Sequence, residues 1–269
     1  MSILNGPFDL KGSFGNYRIY KDPVLGITVF SGKGGPSAEQ MATLDTLAYA
    51  RECAHELGGR SKWASNLKTS LSDVNHLMYQ RCFNKISTAG SHIQKQDVES
   101  AHGFRTIAVS CYPEILYGID FNQRFPFRNV FKGNPVIDLS PDKKTVTVSI
   151  PGFIPSKDIN WGLKFGYFRF YVVAAQVSDM AVNPENGKYE PVVERLETLS
   201  VCTVSKWLPI NSLPVDAILQ TTFEQPALTS TGTVVVVALG VELSTAFQQG
   251  QPYAAPQSGS MGIVAWFTE

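Results

Sequence analysis

The sequence has no net charge and few charged residues, and this narrows the classes of protein to which it can belong. Its 23 Lys+Arg residues are balanced by 23 Asp+Glu residues, and charged residues make up only 17% of the 269. A nucleic-acid-binding protein needs a net positive field to release counterions from phosphates, so we expect no nucleic-acid partner. Hydrophobic residues reach 43%, enough apolar surface to offset chain entropy and argue against disorder. We therefore expect a folded protein of one or two domains.

Signals for export and for membrane insertion are missing as well. The N-terminus has neither the basic region nor the apolar region of a secretory signal peptide. The longest apolar run, residues 234–243, is far too short to span a bilayer. We expect a chain that is made in the cytoplasm and is not inserted in a membrane. An extracellular or virion assembly stays open as its final location.

Patterns typical of catalysis or metal binding are scarce. The four cysteines are Cys53, Cys82, Cys111 and Cys202. They include no C-x-x-C pair, which predicts free thiols. All four histidines lie within residues 55–102, but Cys53 and His55 are too close for the usual ligand spacing on a helix. The sequence contains neither a complete phosphate-binding loop nor G-x-S-x-G, so we predict a non-enzymatic protein without catalytic residues, metal or cofactor.

Basic residues are absent from the last quarter of the chain. No Lys or Arg follows Lys206, and the charges in the remaining 63 residues are Asp216, Glu224, Glu242 and Glu269. Soluble domains usually keep lysines on strand edges, where they prevent edge-to-edge pairing. The absence suggests that a partner covers much of this surface, either copies of the chain itself or other structural proteins. The other interpretation is a well-buried β-domain with an uncharged polar rim.

Residues 1–36 predict a glycine-rich β arm. Short strands at 17–20 and 27–30 flank a turn at 22–26, which indicates a hairpin that must pack on something else to be stable. We expect the arm to pair with the sheet of a neighbouring subunit. The candidate interface residues are Tyr17, Ile19, Tyr20, Ile27, Val29 and Phe30.

Residues 37–103 predict an antiparallel helical hairpin. Ser37 and Gln40 have the spacing of a capping box at the start of the first helix. Gly58 and Gly59 are expected to end that helix and form the tight link. An apolar stripe at steps of three or four residues predicts a second helix of about five turns; it consists of Trp63, Leu67, Leu71, Val74, Met78 and Cys82.

The remainder of the chain has a β pattern. We predict a strand at 105–112, an aromatic linker within 104–130, and an antiparallel β-sandwich of immunoglobulin-like or jelly-roll type over 131–269. The expected fold class is therefore α+β. The predicted sandwich strands are 136–139, 145–150, 167–178, 196–206, 217–223, 233–243 and 262–267.

Two further segments have the composition of binding sites. Residues 121–131 place Arg124 and Arg128 among phenylalanines, which suits stacking on bases or sugars but also a domain junction with packed aromatic rings. Predicted loops carry Asn183, Asn186 and, within 248–258, Tyr253 as adaptable contact residues. These loops support the alternative to a structural subunit, a monomeric module that binds a glycan or a protein.

The N-terminal third also resembles a known family. The motif is Gly6-Pro7-Phe8, then Lys11-Gly12, Gly15-Asn16, Ile19 and Tyr20, a second strand at 27–30, and a helix that opens with Gln40. Over residues 3–90 this pattern is similar to DUF6266, a family of Bacteroidota proteins with an N-terminal hairpin and helices and a C-terminal β domain. Ser31 and Leu44 depart from the basic residues that the family usually carries there. The resemblance implies a fold and no activity.

Overall fold

The computed structural model describes residues 2–4, 11–22, 26–32, 34–79, 82–162, 164–196, 199–213, 215–227, 229, 232–248 and 251–268. It is 27% helical and 37% strand, and its strand pairings are antiparallel, which confirms the α+β class. The chain divides into two units, Met1–Arg51 and Glu52–Glu269. Residues 6–8 of the family motif, 23–25 of the predicted turn and 249–250 of the predicted loop lie outside the described residues.

The first unit contains a four-stranded sheet and a short helix. The strands are β1 (Ser2–Leu4), β2 (Gly12–Phe14), β3 (Tyr17–Lys21) and β4 (Thr28–Gly32), in the order β1-β4-β3-β2. The predicted hairpin is confirmed as the β3–β4 pair, closed by the Gly26 N–H, which donates to the Asp22 carbonyl at 2.8 Å. Helix α1 (Ala38–Thr43) begins with the predicted capping box, in which Ser37 and Gln40 bond reciprocally. A 3-10 turn at Asp45–Leu47 follows.

The helices of the second unit differ from the predicted hairpin. Helix α2 (Ala48–Ser70) runs without a break through Gly58 and Gly59, so the predicted helix stop at these glycines is wrong. The predicted second helix is also wrong as a single element, because a 3-10 helix (Ser72–Leu77) follows α2 and α3 (Cys82–Gln94) begins afterwards. Every residue of the apolar stripe is nevertheless buried. The apolar stripe therefore predicted the buried residues correctly, although the backbone that carries them is not a single helix.

In the described residues, three sheets make up the β part of the second unit. A five-stranded sheet has the order β10-β7-β13-β14, with β11 also paired to β7, and a three-stranded sheet has the order β12-β6-β5. The pair β8–β9 stands apart from both sheets. The strands are β5 (Val136–Leu139), β6 (Thr145–Phe153), β7 (Tyr167–Ser178), β8 (Met180–Val182), β9 (Tyr189–Pro191), β10 (Ser200–Val204), β11 (Leu208–Pro209), β12 (Val215–Thr222), β13 (Thr233–Gln248) and β14 (Gln251–Phe267). Short helices α4 (Phe127–Val130) and α5 (Pro155–Asp158) lie between strands.

The central strands β7 and β13 are buried on both faces. Alternate residues of β7, such as Tyr171 and Val173, join one hydrophobic cluster with α2 and α3. The residues between them, such as Phe170 and Val172, join a second cluster with β6 and β12. Side chains alternate across a strand, so one nearly continuous apolar run serves two cores. Because both faces of β7 and β13 are buried, their sequences are almost continuously hydrophobic and do not alternate with polar residues.

The predicted strand at 105–112 is wrong. Within it, Ile107 forms one isolated bridge, to Met180. Two of its backbone N–H groups donate to carboxylates instead of to a neighbouring strand: Thr106 to Asp97 Oδ2 at 2.7 Å and Ser110 to Asp179 Oδ1 at 2.8 Å. Side-chain acceptors of this kind compete with sheet pairing and hold the segment in an irregular path. None of the helices in the described part of the chain combines the length and apolar character needed to cross a membrane.

Candidate assembly interface and polar clusters

The six predicted arm residues lie on or beside the two central strands of the first unit's sheet. Tyr17 is exposed and stacks on Phe30 at a ring distance of 4.8 Å, while Val29 is buried. The remaining three, Ile19, Tyr20 and Ile27, are half-buried. Strand β3 pairs on both sides, and so does β4. In the described residues, 17–19 of β3 and 28–30 of β4 are paired on both sides, so pairing of another chain along the sheet would use β1 or β2.

A β-ribbon extends past the five-stranded sheet. The pairing of β13 with β7 ends at Ser244 and Tyr167, but its pairing with β14 continues to Gln248 and Gln251. In the described residues, the ribbon beyond Ser244 pairs with no third strand. Residues 245–257 include no Asp, Glu, Lys or Arg. The ribbon is therefore an uncharged pair of strands at the end of a sheet.

The outer edge of β14 is covered over only part of its length. Residues 118–122 pair with its middle, where the Gly118 N–H donates to the Ile263 carbonyl at 3.0 Å and the Phe121 N–H to the Met261 carbonyl at 2.9 Å. The Asn122 side-chain amide donates to the Gly259 carbonyl at 2.8 Å. Among the described residues, no strand pairs with the outer side of β14 over 251–254, the part that pairs with the end of β13. An uncovered edge of this kind can accept a strand from another molecule.

Tyr253 lies on this ribbon and not in a loop. The predicted loop at 248–258 is wrong for its described residues, because Gln251 onward belongs to β14 and Tyr253 pairs with Ala246. Proline and glutamine made the segment look like a loop, but proline is tolerated on an edge strand. Tyr253 is 49% exposed.

The other two predicted contact residues close the β8–β9 turn. The Asn183 side-chain amide donates to Glu190 Oε2 at 2.7 Å, and the Asn186 amide donates to Glu190 Oε1 at 2.9 Å. Their side-chain oxygens accept from backbone N–H groups of the same turn. Both side chains therefore stabilise the turn, and their polar groups are already engaged.

Glu56 on α2 forms a bidentate ion pair with Arg105, which the sequence did not indicate. Arg105 Nε and Nη2 each lie 2.6 Å from a Glu56 oxygen, and the Gly103 N–H donates to Oε1 at 3.0 Å. Glu56 is only 3% exposed. Burial acts to raise its pKa, but the hydrogen bonds from Arg105 and Gly103 outweigh burial and lower the pKa of Glu56. Since 49 residues separate the partners, no local pattern could have revealed the pair.

A second buried carboxylate, Glu242 on β13, is held by three side chains. Arg169 Nε lies 2.6 Å away, the Tyr171 hydroxyl donates at 3.0 Å, and His76 Nε2 lies 3.3 Å away. The Arg169 guanidinium also covers the Trp207 ring at 4.5 Å. Burial and the Glu242 charge raise the pKa of Tyr171 far above its ordinary value. The sequence contained a signal here, because Glu242 is the one charged residue in the apolar run 234–243.

A third carboxylate, Asp179, is buried without a cation in the described residues. It is 6% exposed and accepts from the Ser110 N–H at 2.8 Å and the Ser110 hydroxyl at 2.7 Å. Burial raises its pKa above the ordinary 3.8, and the Ser110 bonds reduce that rise. The folded state therefore binds this proton more tightly than the unfolded state. Stability contributed by Asp179 falls as the pH rises through the folded-state pKa.

The Asp179→Asn variant should accordingly melt at a higher temperature than the wild type at pH 7. The asparagine oxygen still accepts from the Ser110 N–H, and no charge is buried. The gain should shrink as the pH is lowered below the pKa of Asp179, since the wild-type side chain is then neutral too. Thermal melts between pH 3 and pH 7 test this, with exposed Asp216→Asn as the control. A lower melting temperature for Asp179→Asn at pH 7 would contradict it.

The histidines and cysteines do not converge on a metal centre in the described residues. No group of three or more His, Cys, Asp or Glu side chains there has an arrangement that could hold a metal ion. All four cysteines are free thiols; Cys82 is buried and Cys111 exposed. Burial, followed by the charge of Asp73, raises the pKa of Cys202 to about 11. Such a thiol is a poor nucleophile.

Comparison with protein-family models, with curated proteins and with solved structures returns no match for this chain. The resemblance to DUF6266 therefore stays a prediction that rests on the residues quoted for it.

Proposed function

We propose that this chain is a non-enzymatic structural subunit that assembles with copies of itself, as a component of a filament, a sheath or a virion. The observation that carries the proposal is the uncharged ribbon of β13 and β14, in which no described strand pairs with the outer side of β14 over 251–254. Main-chain hydrogen bonds to a strand of a second copy would complete this edge. Lysine, the usual protection against such pairing, is missing from the whole region after Lys206.

The arm would supply the complementary contact. Its sheet has edges at β1 and β2, and β2 carries Phe14, which is 80% exposed. Tyr17, exposed and stacked on Phe30, adds an aromatic surface beside that edge. A head-to-tail contact between the arm of one copy and the ribbon of the next repeats indefinitely or closes into a ring. We also propose that the two sheets sharing the second hydrophobic cluster form a sandwich of the immunoglobulin-like or jelly-roll type.

Tyr253→Lys should abolish assembly, because it places a positive charge on the exposed side chain of the uncovered edge strand. Light scattering coupled to size exclusion, over a concentration series, should give masses well above 29.5 kDa for the wild type and the monomer mass for the variant. Negative-stain images of the wild type should show rings, shells or fibres. Phe14→Lys in the same series tests the edge strand β2 of the arm.

The matched control is Leu213→Lys. Leu213 is 83% exposed and belongs to no strand, so the substitution adds the same charge without placing it on the ribbon. This variant should assemble like the wild type. A wild type that stays monomeric at all concentrations would refute self-assembly and favour the alternative, a monomeric glycan- or protein-binding module. Assembly of Tyr253→Lys at wild-type level would remove the ribbon from the interface.

A further inference from the structure

We propose that a cavity beside α4 binds a sugar ring that carries a carboxylate, such as a hexuronic acid. The cavity has a volume of about 420 Å³, within the usual range of small-molecule sites. It lies wholly within the second unit, away from the ribbon 245–257, and the proposal does not depend on self-assembly. Its walls come from residues 117, 118 and 120, from 127, 128 and 131–135, and from 262–264.

Three glycines give the cavity its shape. A Cβ at Gly118 would overlap the Arg128 guanidinium, and Gly118 has φ +73°, which disfavours any other residue there. A Cβ at Gly133 would lie 2.6 Å from Phe131 Cζ, and one at Gly262 would lie 3.1 Å from Phe127 Cδ1. Side chains at these positions would therefore displace the lining groups. Arg128 lies directly against the backbone of Gly118 and is positioned by it.

Two cations line the cavity without a carboxylate partner in the described residues. Arg128 Nη2 donates to the Tyr117 carbonyl at 3.4 Å, and Lys132 Nζ donates to the Arg128 carbonyl at 2.7 Å. Neither cation forms an ion pair with a described carboxylate. Both keep further N–H donors that these bonds do not use. A guanidinium beside an ammonium favours an anion, and the planar guanidinium fits a carboxylate in particular.

The other walls favour a ring with hydroxyl groups. Tyr117 is 56% exposed, and its ring is held by Trp266 at 5.7 Å and covered by the Arg128 guanidinium at 5.6 Å. Phe127 and Phe131 stack on each other at 5.3 Å but are buried in the core, so Tyr117 is the lining aromatic residue that a ligand can contact. The exposed part of the Tyr117 ring suits the apolar face of a sugar.

Among the described residues, Asp120 is the one acidic residue that lines the cavity, and its charge favours one class of anion over another. Its Oδ1 makes only a long contact, 3.4 Å, with the Arg128 N–H, so it retains acceptor capacity for ligand hydroxyls. Its negative charge repels a multiply charged phosphate more than it repels a single carboxylate. A sugar acid with one carboxylate and several hydroxyls satisfies both the cations and this acceptor.

Titration calorimetry of the full-length protein with glucuronate, glucose and inorganic phosphate tests the proposal. Glucuronate should bind, and glucose, which lacks the carboxylate, should bind at least roughly tenfold more weakly. Arg128→Gln should weaken glucuronate binding by a similar factor, and Lys132→Gln should weaken it in the same direction. Arg124→Gln is the matched control, since Arg124 belongs to the same segment and does not line the cavity.

No glucuronate binding at concentrations up to about 10 mM would overturn the proposal, as would equal losses in Arg124→Gln and Arg128→Gln. Phosphate binding as tight as glucuronate binding would reduce the site to a general anion site and refute the sugar-acid assignment. Thermal melts of each variant show whether it is folded, and Lys132→Gln keeps the test valid if Arg128→Gln does not fold.

Discussion

The Arg105→Met variant should lose about 3–5 kcal/mol of unfolding free energy at pH 7, because Glu56 then loses its bidentate partner and the next basic side chain, His102, has its Nε2 3.9 Å from Glu56 Oε2. Glu56 is 3% exposed, and Arg105 meets both of its oxygens at 2.6 Å. The pair also fixes the segment 95–106, whose own backbone contains little regular structure. Urea denaturation followed by circular dichroism gives the change in unfolding free energy.

The double variant Glu56→Gln with Arg105→Met is the control for this result. Glutamine keeps an acceptor for the Gly103 N–H but carries no charge, so the double variant should be more stable than Arg105→Met alone. A loss below about 1 kcal/mol in Arg105→Met would show that Glu56 reaches solvent or another cation. Equal stability of the single and double variants would show that the charge itself is unimportant.

Comparing the pH dependence of stability in the wild type and in Arg105→Met tests the same ion pair without a substitution at Glu56. The pKa of Glu56 is lowered from its ordinary 4.5 in the folded state. Its contribution to stability is therefore complete above the unfolded-state pKa and is lost as the pH falls through the folded-state pKa. In Arg105→Met the two contributions of Arg105 that lower the pKa of Glu56 are lost while burial still raises it, so acid should cost this variant less stability than it costs the wild type.

The Gly59→Ala variant should be destabilised by about 1–3 kcal/mol, although alanine is the better helix former. A Cβ at Gly59 would lie 2.5 Å from Tyr189 Cγ, at the base of the ring where the side chain cannot swing away. The ring is fixed further, because the Tyr189 hydroxyl donates to the Arg105 carbonyl at 2.9 Å and the Gln94 amide donates to that hydroxyl at 3.0 Å.

Gly58→Ala provides a control one residue away on the same helix. A Cβ at Gly58 meets nothing within 4 Å, and the residue is exposed. This variant should gain about 0.5–1 kcal/mol from the lower conformational entropy of the unfolded chain. Opposite signs in the two melting temperatures would establish that α2 is continuous and packed against β9. A loss in both variants would indicate instead that the helix ends at these glycines.

The sequence correctly predicted features that depend on neighbours close along the chain. The capping box of Ser37 and Gln40, the β3–β4 hairpin and the bounds of β5 and β7 all follow from turn residues and local pattern. The burial of every residue in the apolar stripe from Trp63 to Cys82 was also predictable. Apolar side chains leave water whatever backbone carries them, so hydrophobicity is a better guide to burial than to helix bounds.

What the sequence by itself determined was the α+β class, the positions of most strands and an unusually uncharged C-terminal region. Tertiary structure alone decided that α2 passes through Gly58 and Gly59, and that Tyr189, 130 residues from Gly59, occupies the space that a side chain at residue 59 would fill. It likewise decided that 105–112 is irregular, since Asp97 and Asp179 take its N–H groups. It also brought Arg128, Lys132 and three glycines around one cavity. These contacts join residues that are distant in sequence, so the role of either partner can be inferred only after folding has placed the two side by side.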